Sequence, residues 1–216
     1  MDKTFEKIFL EAKKHFNNSR GSHDFSHVER VLKMALHIGK KAGANLEILK
    51  LAAILHDVER QNEDKIKGKI DHAISGAETA KEILRKYNYK ENIIAAVYHC
   101  IATHRFRNEL KPKTLEAKIL FDADKLDSIG AVGIGRAFLF AGENKAKLHN
   151  SHKKDSEIIQ TKEYSKEDTA YREYLVKLRY IKNRLLTPEG RRLAKERHDF
   201  MVEFFKRMKQ EMEGKI

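Results

Sequence analysis

Cysteine occurs once in the 216 residues and proline twice. The lone Cys100 rules out an intrachain disulfide framework and suits a reducing compartment. So little proline, with eleven glycines and abundant Leu, Ala, Lys and Glu, points to an all-α chain. No apolar run approaches ~20 residues, which excludes a spanning helix, and no membrane partner is expected. The opening MDKTFEKIFLEAKKHF alternates charge with apolar side chains and lacks a signal-peptide core. The expectation is a soluble, cytoplasmic protein. No internal repeat and no trustworthy strand pattern is present, and the length suffices to bury a core without staples.

Negative charge is in deficit. The formal net charge of +12 suits a polyanionic partner, a nucleotide or a nucleic acid. Lys and Glu are both abundant and Gln is scarce, however, and heat-adapted proteins carry such Lys-rich solvated surfaces for their own stability. Charge therefore adds only modestly to the case for a phosphorylated small molecule, foremost a nucleotide, and it is the inward histidines described below that argue against a basic helical RNA-binding module. Charge leaves a homodimer open.

What is present is helical periodicity. Phe5, Ile8, Phe9, Ala12 and Phe16 share one face of a helix over 2–17. Ser26-His27-Val28-Glu29 has the form of a capping box and opens a second helix that Gly43 ends. LEILKLAAILHD, 46–57, is an almost unbroken apolar run around which the chain is organised. Helices follow over 72–87, 91–104 and 115–129. Residues 142–168 hold few large apolar side chains and read as a mobile surface loop. Two closing helices cover 168–186 and 187 onward, the last announced by Thr187-Pro188. The expected organisation is one domain over 1–216, with a core over 22–140 and a helical extension over 168–214.

Chemistry enters through polar residues on apolar faces. Leu49, Ala52, Ala53 and His56 lie on one side of their helix, so the imidazole points the way the core points. A buried His56-Asp57 pair costs desolvation that a partner or a metal must offset. The ordinary alternative is a core histidine bonded to a backbone carbonyl. His27 shares a face with Val31, Met34 and Ile38, again inward. In DADKLD, Asp124 follows Ala117 and Leu120 on the apolar face, with Asp127 one turn on. Asp122 is rotated about 200° away beside Lys118 and Lys125, which predicts an exposed ion pair. Two histidines and two aspartates converging from three helices make a mixed nitrogen–oxygen site for iron, manganese, cobalt, nickel or zinc. A second ion could take Asp57 as a bridge, with His72 and His104.

DFSHVERV, AAILHDVER and ILFDADKLDSIGAVGIGRAF together resemble the HD superfamily of metal-dependent phosphohydrolases, over about Ser22 to Phe140. TPEGRRLAKERHDFM extends the similarity to a bacterial and archaeal subfamily, some members of which act on nucleoside triphosphates. The resemblance implies an HD-domain helical bundle with a C-terminal helical extension. It implies His27, His56, Asp57 and Asp124 as ligands of a divalent ion (Mn, Co, Ni, Fe, Mg or Zn), in agreement with the helical faces. His72 and His104 match positions where relatives carry further histidines. Several relatives place an acid shortly after the His-Asp pair; here the chain reads Val58-Glu59-Arg60-Gln61, so only Glu59 can serve.

Phosphoryl hydrolysis needs acidified water and cations against developing negative charge. Asp57, Glu59, Arg60, His23 and Lys125 are the candidate catalytic groups. His72, His104, Arg105 and Asp127 are candidate substrate contacts, with Arg107 a further cation. For each cation a solvated surface charge is the plain alternative, and His23 serves equally as a capping neighbour. Gly130-Ala-Val-Gly-Ile-Gly135 follows a helix and lacks a Lys-Ser/Thr ending, so close packing explains it better than a phosphate loop. His149 and His152 fall in the polar loop, and Arg197-His198 could reach a phosphate if the last helix folds back. The expected activity is hydrolysis of a phosphoester or phosphoanhydride bond in a nucleotide-like substrate. The alternative is a catalytically silent metal- and nucleotide-binding sensor.

Overall fold

The structure, a computed structural model, describes residues 3–17, 21, 24–65, 71–105, 110–150 and 152–216. Every regular element among them is helical, and no strand occurs. Two compact units divide the chain, residues 1–124 and 125–216.

The first unit holds α1 (Lys3–Lys14), α2 (Phe25–Ala42), α3 (Leu46–Leu55), α4 (Arg60–Lys65), α5 (His72–Lys86), α6 (Glu91–Ala102) and most of α7 (Leu115–Asp127). Its centre is α3, which packs against α1, α2, α5 and α6. That placement follows from composition: apolar around nearly its whole circumference, α3 can be satisfied only by being surrounded. Leu49, Leu51, Ile54 and Leu55 are fully enclosed, each such burial stabilising by roughly 1.5–3 kcal/mol. Asn45 starts this helix by accepting from the backbone N–H groups of Glu47 and Ile48 at 3.0 and 3.2 Å. Gly43 ends α2 at φ 69°, where an L side chain would be strained.

The expected capping box at Ser26 does not form. The N-cap of α2 is Asp24, and Ser26 already lies inside the helix. Its hydroxyl donates to Asp24 Oδ1 at 2.5 Å and accepts from Arg30 at 2.7 Å. Phe25, packed edge-on against Phe9 and Phe16, sets the start one residue before the serine.

The second unit holds α8 (Gly130–Glu143), α9 (Asp155–Ile159), α10 (Ala170–Val176), a 3-10 turn over Leu178–Asn183, and α11 (Pro188–Met212). Thr187 caps α11 through its hydroxyl, which accepts from Gly190 N at 3.0 Å, with Pro188 next in line as the sequence predicts. The stretch 142–168 carries a short helix and a set of tethers. Asn150 is buried and donates to Glu167 O at 3.0 Å, and Lys147 N donates to Lys166 O at 2.8 Å. Arg172 is buried against Asp168 at 2.9 Å and also donates to Thr161 O. Apart from the buried Ile158, polar side chains and backbone fix this segment, which is why hydropathy alone reads it as loop.

Candidate metal centre

Helix ends place each polar side chain of the first unit's interior. His56 is the residue that closes α3, where carbonyls lose their intrahelical partners. Its Nδ1 stands 2.7 Å from Ala53 O and donates to it, so the proton sits there and the Nε2 lone pair faces away from the helix. His104 repeats the arrangement just past the end of α6, with Nδ1 2.6 Å from Ile101 O. His27 comes from the first turn of α2, His72 from the first residue of α5, and Asp124 from the last turn of α7. The negative ends of α3 and α6 and the positive ends of α2 and α5 meet here, so the preference for a cation comes from the two carboxylates.

His27 Nε2 lies 3.2 Å from His56 Nε2 and 3.3 Å from Asp124 Oδ1. Asp57 Oδ2 stands 3.7 Å from both imidazole nitrogens. Asp57 Oδ1 turns the other way, 3.1 Å from His72 Nε2 and 3.5 Å from His104 Nε2. Two groups result: His27, His56 and Asp124 offer ligand atoms within 4.8 Å of one another, and so do Asp57, His72 and His104. The carboxylate of Asp124 keeps 16 % of its surface open, against 8 % for Asp57 and 0 % for the His56 ring, so solvent reaches the site past Asp124.

Electrostatics agrees with ligation. Burial holds the His56 imidazole neutral, its pKa pushed down to about 4 in spite of the Asp57 carboxylate beside it. Burial would raise the Asp57 carboxyl, but the nearby His56 and His72 rings and the hydrogen bond from His72 outweigh it and hold the group well below its usual range. A neutral imidazole and an ionised carboxylate are the forms a divalent ion takes. Cys100, by contrast, is buried away from these groups, and burial pushes its thiol up to about 12, leaving it inert.

The sequence-derived residues divide as follows. His27, His56, Asp57 and Asp124 come together, and His72 and His104 join them around the far side of Asp57. Arg60 and Arg105 both reach the interior, with Nη1 atoms 3.5 and 3.0 Å from His72 Nδ1. Glu59 does not join: its carboxylate accepts from Thr79 at 2.9 Å and from Asn62 at 2.5 Å. Asp127 is buried in the second unit and paired with Arg136 at 2.7 Å. Lys125 is half-buried in that unit. Arg197 donates to Leu126 O, its stem lying against Gly130. His23 and Arg107 lie outside the described residues.

Asp122 corrects the helical-face argument. Predicted as an exposed ion-pair residue, it is fully buried. Ala117, Ile119, Leu120, Phe121, Ala123 and Leu126 are buried as well, so buried residues run round both sides of α7 and Asp122 is covered along with them. Asp71 is the residue that sequence reasoning missed. It caps α5 by accepting from Ala73 N at 3.0 Å and holds Arg105 at 3.1 Å. An Asp directly before a helix-opening His was the available signal.

Comparison with known proteins agrees with this geometry. A sequence model of the HD domain matches residues 24–129. The Bacillus subtilis protein YpgQ is 34% identical over 98% of this chain and 95% of its own length. The crystal structure of YpgQ in complex with ADP superposes with a TM-score of 0.75 at 28% identity, covering 98% of this chain and 100% of that one. A predicted HD superfamily hydrolase from an uncultured Thermotogales bacterium superposes at 0.68 and 28%, covering 96% and 92%. Together these define an all-helical hydrolase fold carrying a His/Asp cluster fit for a divalent metal. The chain belongs to the HD superfamily.

Proposed function

We propose that the chain is a metal-dependent phosphohydrolase that cleaves a phosphoester or phosphoanhydride bond of a nucleotide-like substrate. The observation that carries this reading is the convergence of His27 Nε2, His56 Nε2 and Asp124 Oδ1 from three helices, with Asp57 beside them. That donor set, two imidazoles and two carboxylates, fits a divalent ion such as manganese, cobalt, nickel, iron, magnesium or zinc. Bound there, such an ion supplies acidified water and neutralises charge on phosphoryl oxygens. The chain's own residues do the rest. Asp57 accepts from His72 through Oδ1, so that its second oxygen faces His27 and His56. Arg60 and Arg105 set two positive charges at His72 Nδ1, beyond the ring that meets Asp57, a sign of charge that favours an anionic phosphoryl group nearby. The nucleotide class is supported by the ADP complex of the related YpgQ.

The test is phosphate release from a nucleotide panel with manganese, cobalt or nickel. His56→Ala with Asp57→Ala should lower turnover by at least about a thousandfold, roughly 4 kcal/mol of barrier, while the far-ultraviolet dichroism stays helical. Turnover that survives in that variant, or in excess chelator, rules the mechanism out. One feature favours a second reading, a metal- and nucleotide-binding sensor without turnover: Glu59, the acid that follows the His-Asp pair, is tied to Thr79 and Asn62. Tight nucleotide binding with no product across the same panel would decide for it.

A further inference from the structure

Asp57, His72 and His104 have ligand atoms as close together as those of His27, His56 and Asp124, so spacing alone offers places for two ions. We propose that Arg105 withholds the second group from metal binding, so that the chain holds a single divalent ion; this rests on the metal-centre reading above. The histidines of the two groups differ in which ring nitrogen carries the proton. His56 and His104 donate from Nδ1 to backbone carbonyls at 2.7 and 2.6 Å, which leaves Nε2 free to ligate. His72 is arranged the opposite way. Its Nδ1 faces the guanidinium of Arg105 at 3.0 Å, with that of Arg60 at 3.5 Å. A guanidinium has donors and no acceptor, so Nδ1 must accept and the ring proton must sit on Nε2. That Nε2–H is donated to Asp57 Oδ1 at 3.1 Å. For His72 to ligate through Nε2, its proton would have to move to Nδ1, where it would meet the guanidinium donor-to-donor.

Arg105 is not a loose surface cation that could swing aside at no cost. Its Nη1 also donates to Asp71 at 3.1 Å, and Asp71 is itself fixed as the N-cap of α5 by the Ala73 N–H at 3.0 Å. Charge runs in the same direction. The two groups contribute two carboxylates, Asp57 and Asp124, which balance one divalent ion. A second ion would add two positive charges beside a guanidinium in a buried site, where such repulsion is poorly screened. Arg105 is therefore a positioning residue: it fixes the His72 proton, which fixes Asp57, and it stands as the second positive centre in place of a second metal.

The test is calorimetric titration of chelator-stripped protein with Mn2+, for wild type and Arg105→Met. The expected stoichiometry is one ion per chain in wild type and two in the variant. Two ions in wild type, or one in a variant that keeps its helical dichroism and cooperative melting, overturns the inference and leaves the metal centre standing. No binding in wild type overturns the metal centre itself, and the inference with it. Should Arg105→Met fail to fold, long-range 1H–15N correlation of the histidine rings in metal-free wild type decides. The His72 proton on Nε2 supports the inference, and on Nδ1 it overturns it.

Discussion

At the scale of single residues, the interior of the first unit is governed by where histidine protons reside. His56 is fully buried and its pKa lies at about 4, burial being the main cause, against an ordinary value of 6.5. In the metal-free chain, the unfolded state therefore takes up a proton as pH falls through 6.5 while the native state does not. The linkage has one sign: native stability declines between pH 6.5 and 4, by up to roughly 3 kcal/mol from this group alone, and rises again with pH. The Asp57 carboxyl, held well below 3.8 in the native state, gives its own loss only at lower pH, outside that window. Urea denaturation of chelated protein at pH 7 and pH 4.5 should show the decline, and His56→Gln should flatten most of it. An unchanged slope in that variant would remove His56 as the cause. The presence of this site was legible in the sequence, because His27, His56 and Asp124 each sit at helical spacing from apolar neighbours. Its protonation was not: the carbonyls of Ala53 and Ile101 and the guanidinium of Arg105 are identifiable as partners only once the helix ends are placed. Asp122 shows the converse limit, since a helical wheel separates two faces but cannot say that both are covered.

At the scale of elements, α8 shows what glycine hides and what it requires. Gly130, Gly133, Gly135 and Gly142 depress helix propensity so far that periodicity alone does not announce this helix. The glycines are not equivalent. Gly130 sits at φ 79° with the stem of Arg197 against it, a Cβ there falling 2.9 Å from Arg197 Cγ. A Cβ on Gly133 would stand 2.3 Å from Ser128 O, a backbone atom that cannot move without breaking the turn from α7 into α8. Gly135 faces open space. Gly133→Ala should therefore lower stability by at least about 2 kcal/mol through steric overlap, while Gly135→Ala should raise it by roughly 0.5–1 kcal/mol through helix propensity. Chemical denaturation of the two variants, side by side, checks both signs. Equal effects would mean that close packing is not what the Gly130–Gly135 run serves. Where an apolar run or a Thr-Pro start marks the chain, as from Leu46 for α3 and at Thr187-Pro188 for α11, helix starts were legible in the sequence. Where polar tethers do the holding, as for α9 and the bonds around Asn150, they were not.

At the scale of the whole molecule, the +12 charge and the metal centre make separate demands. Much of the surface charge is already spent on short-range pairing, as in Lys86–Glu11, Arg85–Glu91, Arg192–Glu189 and Lys195–Asp199. Such exposed pairs stabilise little individually and are screened by salt. Both His/Asp groups lie within residues 1–124, and no helix among the described residues is long and apolar enough to cross a membrane. A ligand that binds the native chain and not the unfolded one stabilises it by mass action, about 2.7 kcal/mol at a hundredfold excess over Kd. For a chain of this size that is a rise in Tm on the order of 5–10 °C. Adding manganese to chelated protein should produce that rise, and excess chelator should reverse it. His56→Ala with Asp57→Ala should show none of it, because two donors and a carboxylate charge are gone while the outer helices are untouched. Raising sodium chloride should leave the metal-dependent rise largely intact, since donor bonds in a buried site are poorly screened, whereas a rise due to ions gathering on the charged surface would vanish with salt. A salt-sensitive rise that the double variant retains would place the ion on the surface and not between His27, His56 and Asp124.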